Sequence, residues 1–317
     1  MSTRALLNLV LLLAVVGLAL LAWFRPGVKS EETPRPIVSG ITPAQVKGVT
    51  VERLSRDPLG FIKRDGHWFL RVDNRELPAA EFQLNALLRL LQATSTHHYP
   101  AASLDLKSLG LDPPKARVAM DDVDFRFGIT EALNNRRYVQ VGDTVHLIDD
   151  QYQHLLNADW SNFVSRQLLE GRGAITGIEL PGLTLTYAED GRWRVEPEQS
   201  DVSADAMQTF IENWQNATAL FTRRYAGGPD DTPGGETITI RTRDSDHPLM
   251  LRIVSRSPDL VLARPEWGIQ YQLPGAEADS LFTLPHPAPE PVAQPADGAT
   301  APAAPQKMAP NSPPPSP

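Results

Sequence analysis

The chain contains no cysteine among its 317 residues. That absence removes disulfides, thiolate metal sites, cysteine nucleophiles and lipidated cysteine anchors together. It also lacks any block of Lys and Arg of the kind that neutralises phosphates, and its formal net charge is −8, so nucleic acid is not expected as a partner. The short catalytic motifs are missing as well. There is no G-x-S-x-G elbow, no H-E-x-x-H, no G-x-x-x-x-G-K-[ST] and no dinucleotide fingerprint after a strand. Ser, His and Asp occur as in any chain of this length, without a spacing that makes a triad. No cofactor is implied, and the chain reads as a non-enzyme.

What is present begins with an apolar run. Residues 5–24, ALLNLVLLLAVVGLALLAWF, carry no charge and a single amide, Asn8. At about 1.5 Å per residue such a run extends about 30 Å, the thickness of a bilayer's hydrocarbon core. Arg4 flanks one end, and Trp23 and Phe24 followed by Arg25-Pro26-Gly27 mark the other. A cleaved signal peptide is the competing reading, but its apolar core is normally about 7–15 residues and ends in small residues. Here Leu20 stands third from the candidate site after Ala22. The expectation is therefore a single-pass transmembrane anchor. Arg4 on one side faces Arg25, Lys29 and Arg35 on the other, so the positive-inside rule leaves orientation open. The short amino-terminal side and long carboxy-terminal side favour a bacterial inner-membrane protein with its bulk in the periplasm.

The other end is different in kind. Residues 285–317 hold 12 of the chain's 29 prolines, interleaved with alanine. Such a segment buries too little apolar surface to offset ordering, and proline removes backbone donors. It is expected to be a disordered tail, with 25–36 as a linker after the anchor.

Between the ends the same order of signals occurs twice. The first passage opens with Gly48-Val49-Thr50-Val51, reaches Phe61-Ile62, turns at Asp65-Gly66 and resumes at Trp68-Phe69-Leu70. The second opens with Gly177-Ile178-Glu179-Leu180, runs through Leu183 and Leu185, turns at Asp190-Gly191 and resumes at Trp193. Asp-Gly between alternating apolar residues is a hairpin signal, because glycine supplies the positive φ of the turn. A helix follows in each passage. One carries Leu84, Leu87, Leu88 and Leu91; the other carries Met207, Phe210, Ile211, Trp214, Ala217 and Phe221 behind Ser203 as N-cap. Further hairpins follow, at Asp121-Asp122 and Gly142-Asp143 in the first passage and at Asp244-Ser245-Asp246 in the second. The join carries helical stretches at 151–156 and 160–169, broken by Gly171 and Gly173. These signals predict an α+β fold: the membrane helix, a lobe over 37–172 and a similar lobe over 173–284, each of antiparallel hairpins under a covering helix.

Candidate sites are few. His97-His98 suggest a metal, but neighbours on a strand point to opposite faces and no third ligand follows at the right spacing. Asp121, Asp122 and Asp124 suggest a cation loop, but the glycine and closing glutamate of a calcium site are missing. A hairpin turn explains them better, and no metal is expected. Trp68 and Trp193 hold equivalent places after their hairpins, which favours core packing over stacking on a sugar or peptide. Trp160 and Trp267 lack that explanation and are the first residues to consider for an interaction surface.

Taken together, the anchor, the repeated Gly-x-Trp hairpin, the run Leu109-Gly110-Leu111-Asp112-Pro113-Pro114 and then Arg137-Tyr138-Val139 resemble the domain-of-unknown-function 4340 family of bacterial envelope proteins. The resemblance covers about residues 1–284, and the second passage lacks the Leu-Gly-Leu-Asp-Pro-Pro run, having Gly227-Gly228-Pro229 in that loop. It carries no catalytic residues over. It implies an auxiliary role beside ABC transporter components of the gliding-motility type. The leading expectation is a non-enzymatic, inner-membrane-anchored protein with two interaction lobes, an accessory of an ABC-type transport complex. A cell-wall or lipid ligand in an inter-lobe groove is the alternative, and an unrecognised hydrolase is a third reading.

Overall fold

The computed structural model describes residues 12, 14–17, 35–38, 40–95, 97–131, 134–199, 202–227 and 235–285. After a two-residue strand β1 (Arg35–Pro36) come β2 (Gly48–Arg53), β3 (Arg56–Arg64), β4 (His67–Val72) and β5 (Arg75–Pro78). Helix α1 (Glu81–Leu88) leads to β6 (Thr94–Ser95) and β7 (His97–Pro100), then β8 (Ala116–Met120), β9 (Val123–Thr130), β10 (Arg136–Val141) and β11 (Thr144–Asp149). A short helix α2 (Gln153–Asn157) and a 3-10 turn (Trp160–Phe163) make the join. The second half runs β12 (Ile175–Leu180), β13 (Leu183–Tyr187), β14 (Trp193–Glu196), α3 (Ala204–Asn216), β15 (Phe221–Arg224), β16 (Thr237–Thr242), β17 (Ser245–Ser255), β18 (Leu260–Arg264), β19 (Ile269–Leu273) and α4 (Gly275–Phe282).

The halves are two wide antiparallel sheets. The first has nine strands in the order β5-β4-β3-β2-β8-β9-β10-β11-β7; the second has eight in the order β14-β13-β12-β16-β17-β18-β19-β15. Apart from the extra edge strand β5, the two orders correspond strand for strand. In each, the meander and the later hairpins are joined through one central pair, β2 with β8 and β12 with β16. A separate two-stranded ribbon pairs β1 with β6.

This corrects the expected α+β class. The structure is mainly β, and its helices are short additions to continuous sheets rather than covers over separate hairpins. Among the described residues no helix is long and apolar enough to cross a membrane. The single-pass transmembrane assignment is therefore not carried by the structure. Of the run 5–24 only residues 12 and 14–17 are described, as helical and exposed, and the rest of that run lies outside the described residues. So do the expected tail beyond residue 285, most of the linker 25–36, and Gly228 and Pro229.

Period-two burial shows why these segments are strands. Val49, Val51, Leu59, Phe61, Val118, Phe125 and Phe127 line the inner face of the first sheet; Ile178, Leu185, Ile238, Ile240, Leu249, Leu251, Leu260 and Leu262 line that of the second. Burying one such side chain contributes about 1.5–3 kcal/mol before entropy is counted. Leu84, Leu87 and Leu88 of α1 are buried, as are Phe210, Ile211 and Trp214 of α3. The Ser203 hydroxyl caps α3 by accepting from the Ala206 amide at 3.1 Å. The first Asp-Gly turn has Asp65 at φ 50° and Gly66 at φ 87°, the left-handed pair that closes a two-residue hairpin.

Two helical expectations fail for the same reason. Only Trp160–Phe163 is helical in the stretch 160–169. Beyond it Val164 pairs with Ala79, Ser165 donates to the Pro78 carbonyl at 2.8 Å, and Gln167 pairs with Thr218. Likewise α3 stops at Asn216, because Ala217 and Ala219 exchange backbone hydrogen bonds with Leu168 and Arg166. Phe221, expected on the helical stripe, opens strand β15 with 55% of its surface exposed. The join is thus bonded to both halves, and one apolar core runs through them.

The Leu109–Pro114 run folds back against β9. The Ile129 amide donates to the Leu109 carbonyl at 2.9 Å and the Lys115 amide to the Phe127 carbonyl at 2.8 Å. Asp112-Pro113 is cis, and Leu111 is 1% exposed. Gly128 makes this approach possible, since a Cβ there would stand 2.3 Å from the Leu109 carbonyl oxygen. Gly128→Ala is therefore expected to lose about 1–3 kcal/mol through overpacking, read as a lower urea midpoint.

Candidate functional site

The two tryptophans singled out from the sequence both lie where the halves meet, and neither is an open aromatic surface. Trp160 is 9% exposed in the joining turn. The Arg224 guanidinium of β15 lies 5.4 Å from its ring centre and pairs with Asp159 at 3.0 Å. Burial pushes the Asp159 carboxyl up, but hydrogen bonds from Ser161 and the pairing with Arg224 outweigh it and hold the carboxyl below its ordinary value. The Thr222 hydroxyl donates to the Ser161 carbonyl at 2.7 Å, tying β15 to the same turn.

Trp267 is half-buried in the turn Pro265–Trp267, with the Arg264 guanidinium 3.2 Å from its ring centre. Arg264 itself is 2% exposed. Burial lowers its pKa, and the neighbouring Tyr271 and Glu266 act against that shift. The Tyr271 hydroxyl is pushed up to about 12, by burial, although the charge of Arg264 favours ionisation. Tyr271 Oη and Arg264 Nε are both buried without a well-formed hydrogen bond. From the first half, Arg75 donates to the Glu266 carbonyl at 2.9 Å, so this turn too is bonded across the junction.

Residues missed in the sequence flank the same region. Leu220 is 44% exposed and Phe221 55%, and they line a junction groove of about 250 Å³ with Gln83, Leu155 and Phe163. Phe82, the neighbour of Gln83 on α1, is 72% exposed. Its apolar character off the stripe Leu84, Leu87, Leu88 was the available signal. Nothing local marked Phe221, because its exposure depends on where α3 ends.

The candidate cation sites resolve into structure. The Asp121 carboxylate, at φ 47°, accepts from the amides of Lys47 at 3.0 Å and Gly48 at 2.8 Å. Asp124 pairs with Arg117 at 2.7 Å and Arg126 at 3.2 Å. His98 and His146 sit opposite one another on β7 and β11, ring centres 6.4 Å apart. Among the described residues no group of His, Cys, Asp or Glu is placed to hold a metal.

His146 nevertheless makes a pH-dependent contribution. Burial, then the charge of His98, depresses its pKa from 6.5 to about 4. The fold therefore favours the neutral ring. Its contribution is whole above pH 6.5, declines as pH falls, and is gone once pH passes below about 4. Allowing for partial exposure, about 1–2 kcal/mol is at stake. Proton NMR should show the His146 ring titrating near pH 4, and His146→Gln should flatten the stability profile between pH 6.5 and 4.

Residues 68–224 match the family described as Domain of unknown function (DUF4340). That stretch of the chain belongs to this family. No curated protein and no solved structure matches it. The DUF4340 match starts at Trp68 in β4 and ends at Arg224 in β15, so it takes in the Leu-Gly-Leu-Asp-Pro-Pro loop, the join and the whole of α3. The residues that carry the DUF4340 resemblance are architectural here. Arg137 pairs with Asp150 at 2.8 Å, with side chains 11% and 2% exposed, and Asp150 also accepts from the Thr130 hydroxyl at 2.6 Å. They brace the strands beside Gly128, against which the Leu109–Pro114 loop packs.

Proposed function

We propose that this DUF4340 chain is a non-enzymatic contact protein of the bacterial envelope. Residues 5–24 would hold it at the inner membrane, with the β body in the periplasm as an accessory of an ABC-type transport complex. The observation that carries the reading is the character of the junction. Its charged and aromatic groups bond to one another, while Leu220 and Phe221 stand exposed in its groove and Phe82 is exposed on α1, next in the chain to Gln83 of that groove. Apolar side chains grouped at one place on a surface mark contact sites. The junction groove, at about 250 Å³, falls below the roughly 300–1,000 Å³ usual for ligand pockets, which favours a protein contact over a bound ligand there. The transporter partner rests on the family resemblance and the membrane attachment on the apolar run.

Affinity purification of the full chain from native membranes tests this. Transporter subunits should co-purify, and the double variant Phe82→Glu, Phe221→Glu should lose them while retaining its circular dichroism. Recovery of the chain alone, or the same partners with the double variant, would overturn the proposal.

A further inference from the structure

The repeat supplies its own comparison at the two tryptophans after the hairpins. In the first half Trp68 is 5% exposed, and β5 lies outside β4, with the Ala79 amide donating to the Trp68 carbonyl at 2.8 Å. Among the described residues of the second half there is no counterpart of β5, and β14 is the edge of its sheet. Trp193 is left half-buried, edge-on to Tyr187 with ring centres 5.3 Å apart, and Tyr187 is 41% exposed. The position of Tyr187 opposite Trp193 is held in the first half by Lys63 opposite Trp68, whose ammonium lies 5.7 Å from the ring centre. The same element of the repeat is therefore closed in one copy and open in the other.

The opening is a cavity of about 460 Å³ between α3 and the end of the sheet. That volume lies within the roughly 300–1,000 Å³ of small-molecule sites. Its aromatic wall is Trp193 and Tyr187. Facing it, α3 presents Gln208, Glu212 and Gln215, at helical spacing along one flank. Arg172 and Arg243 complete the lining. Arg172 is held by donating to the His247 carbonyl at 3.0 Å, whereas Arg243 is exposed and makes no ion pair among the described residues.

We propose that this cavity binds a saccharide carrying a carboxylate. An aromatic face attracts the polarised C–H groups on the flat side of a pyranose, because the ring quadrupole is negative there. Planar amides and a carboxylate opposite it accept and donate hydrogen bonds in the plane where equatorial hydroxyls point. Two guanidinium groups against one carboxylate leave the lining net positive, and a guanidinium without a partner matches a carboxylate in two parallel hydrogen bonds. An acyl chain would offer these polar groups no hydrogen bonds in place of the water it displaces, which costs free energy when they are covered.

The test is calorimetric titration of the full chain in detergent micelles with trigalacturonic acid, its methyl ester and the peptide Ala-Glu-Ala. The acid should bind, and its ester should bind at least threefold more weakly. Trp193→Ala should weaken the acid at least tenfold, while Trp193→Phe should hold within about threefold. Arg243→Gln, a change at an exposed side chain, should bring acid and ester to the same affinity; it keeps the test valid if Trp193→Ala fails to fold. Absence of binding by either saccharide, binding indifferent to Trp193→Ala and Arg243→Gln alike with no preference for the acid, or binding of the peptide that Arg243→Gln abolishes would each overturn the proposal.

Discussion

Truncating Arg137 to alanine is expected to destabilise the protein by about 3–5 kcal/mol, because it leaves a buried carboxylate without its counter-charge. Asp150 has a side chain only 2% exposed, and its Oδ1 has no hydrogen-bond partner even with Arg137 present. What remains after the truncation is the Thr130 hydroxyl on Oδ2, one neutral donor for a buried charge. The asymmetry between losing one partner and losing both sharpens the test. The double variant Arg137→Met, Asp150→Leu removes both charges and keeps volume, so it should recover most of the loss. Urea unfolding of the three variants measures this directly. An Arg137→Ala cost below about 1 kcal/mol would mean that the pair is solvated and that the brace beside Gly128 is not formed.

Arg264→Ala should be nearly as damaging, at about 3 kcal/mol or more, for a different reason. The side chain fills space under Trp267 and is nearly without solvent, yet its Nε has no partner and its nearest carboxylate, Glu266, is 3.5 Å away and well exposed. Its contribution is therefore more packing than pairing. Arg264→Met, which keeps the stem and drops the charge, should be close to neutral or stabilising. Loss of stability by both variants to the same degree would show instead that the charge itself is required. Trp267 fluorescence should shift to longer wavelength in the alanine variant only, as its ring gains water.

Local chemistry was legible in the sequence, and long-range pairing was not. Asp65-Gly66 and Asp190-Gly191 stand at turns, with both glycines at positive φ, since backbone sterics act within a few residues. Ser203 caps a helix for the same reason. The pairing of β2 with β8 joins residues some 70 apart, and no periodicity in either strand names its partner. Reading each hairpin as a unit under its own helix led to an α+β expectation, whereas central pairs of this kind merge the hairpins into two wide sheets. The site followed the same division. Trp160 and Trp267 were visible as unexplained aromatics, but the arginine that covers Trp160 and braces its turn, Arg224, arrives from β15, more than 60 positions away. Trp68 and Trp193 looked equivalent because their hairpins are. Their different exposure goes with β5, which flanks β4 and has no counterpart beside β14 among the described residues.

The contact reading is tested most directly by photo-crosslinking in native membranes. A photoreactive amino acid placed at position 221, at position 82, or at the exposed Met250 on β17, three strands from β15 in the second sheet, reports what lies against each surface. The expected result is an adduct to the same protein from positions 221 and 82 and none from position 250. Adducts to lipid alone from 221 and 82, or equal protein adducts from all three positions, would contradict a contact surface at the junction.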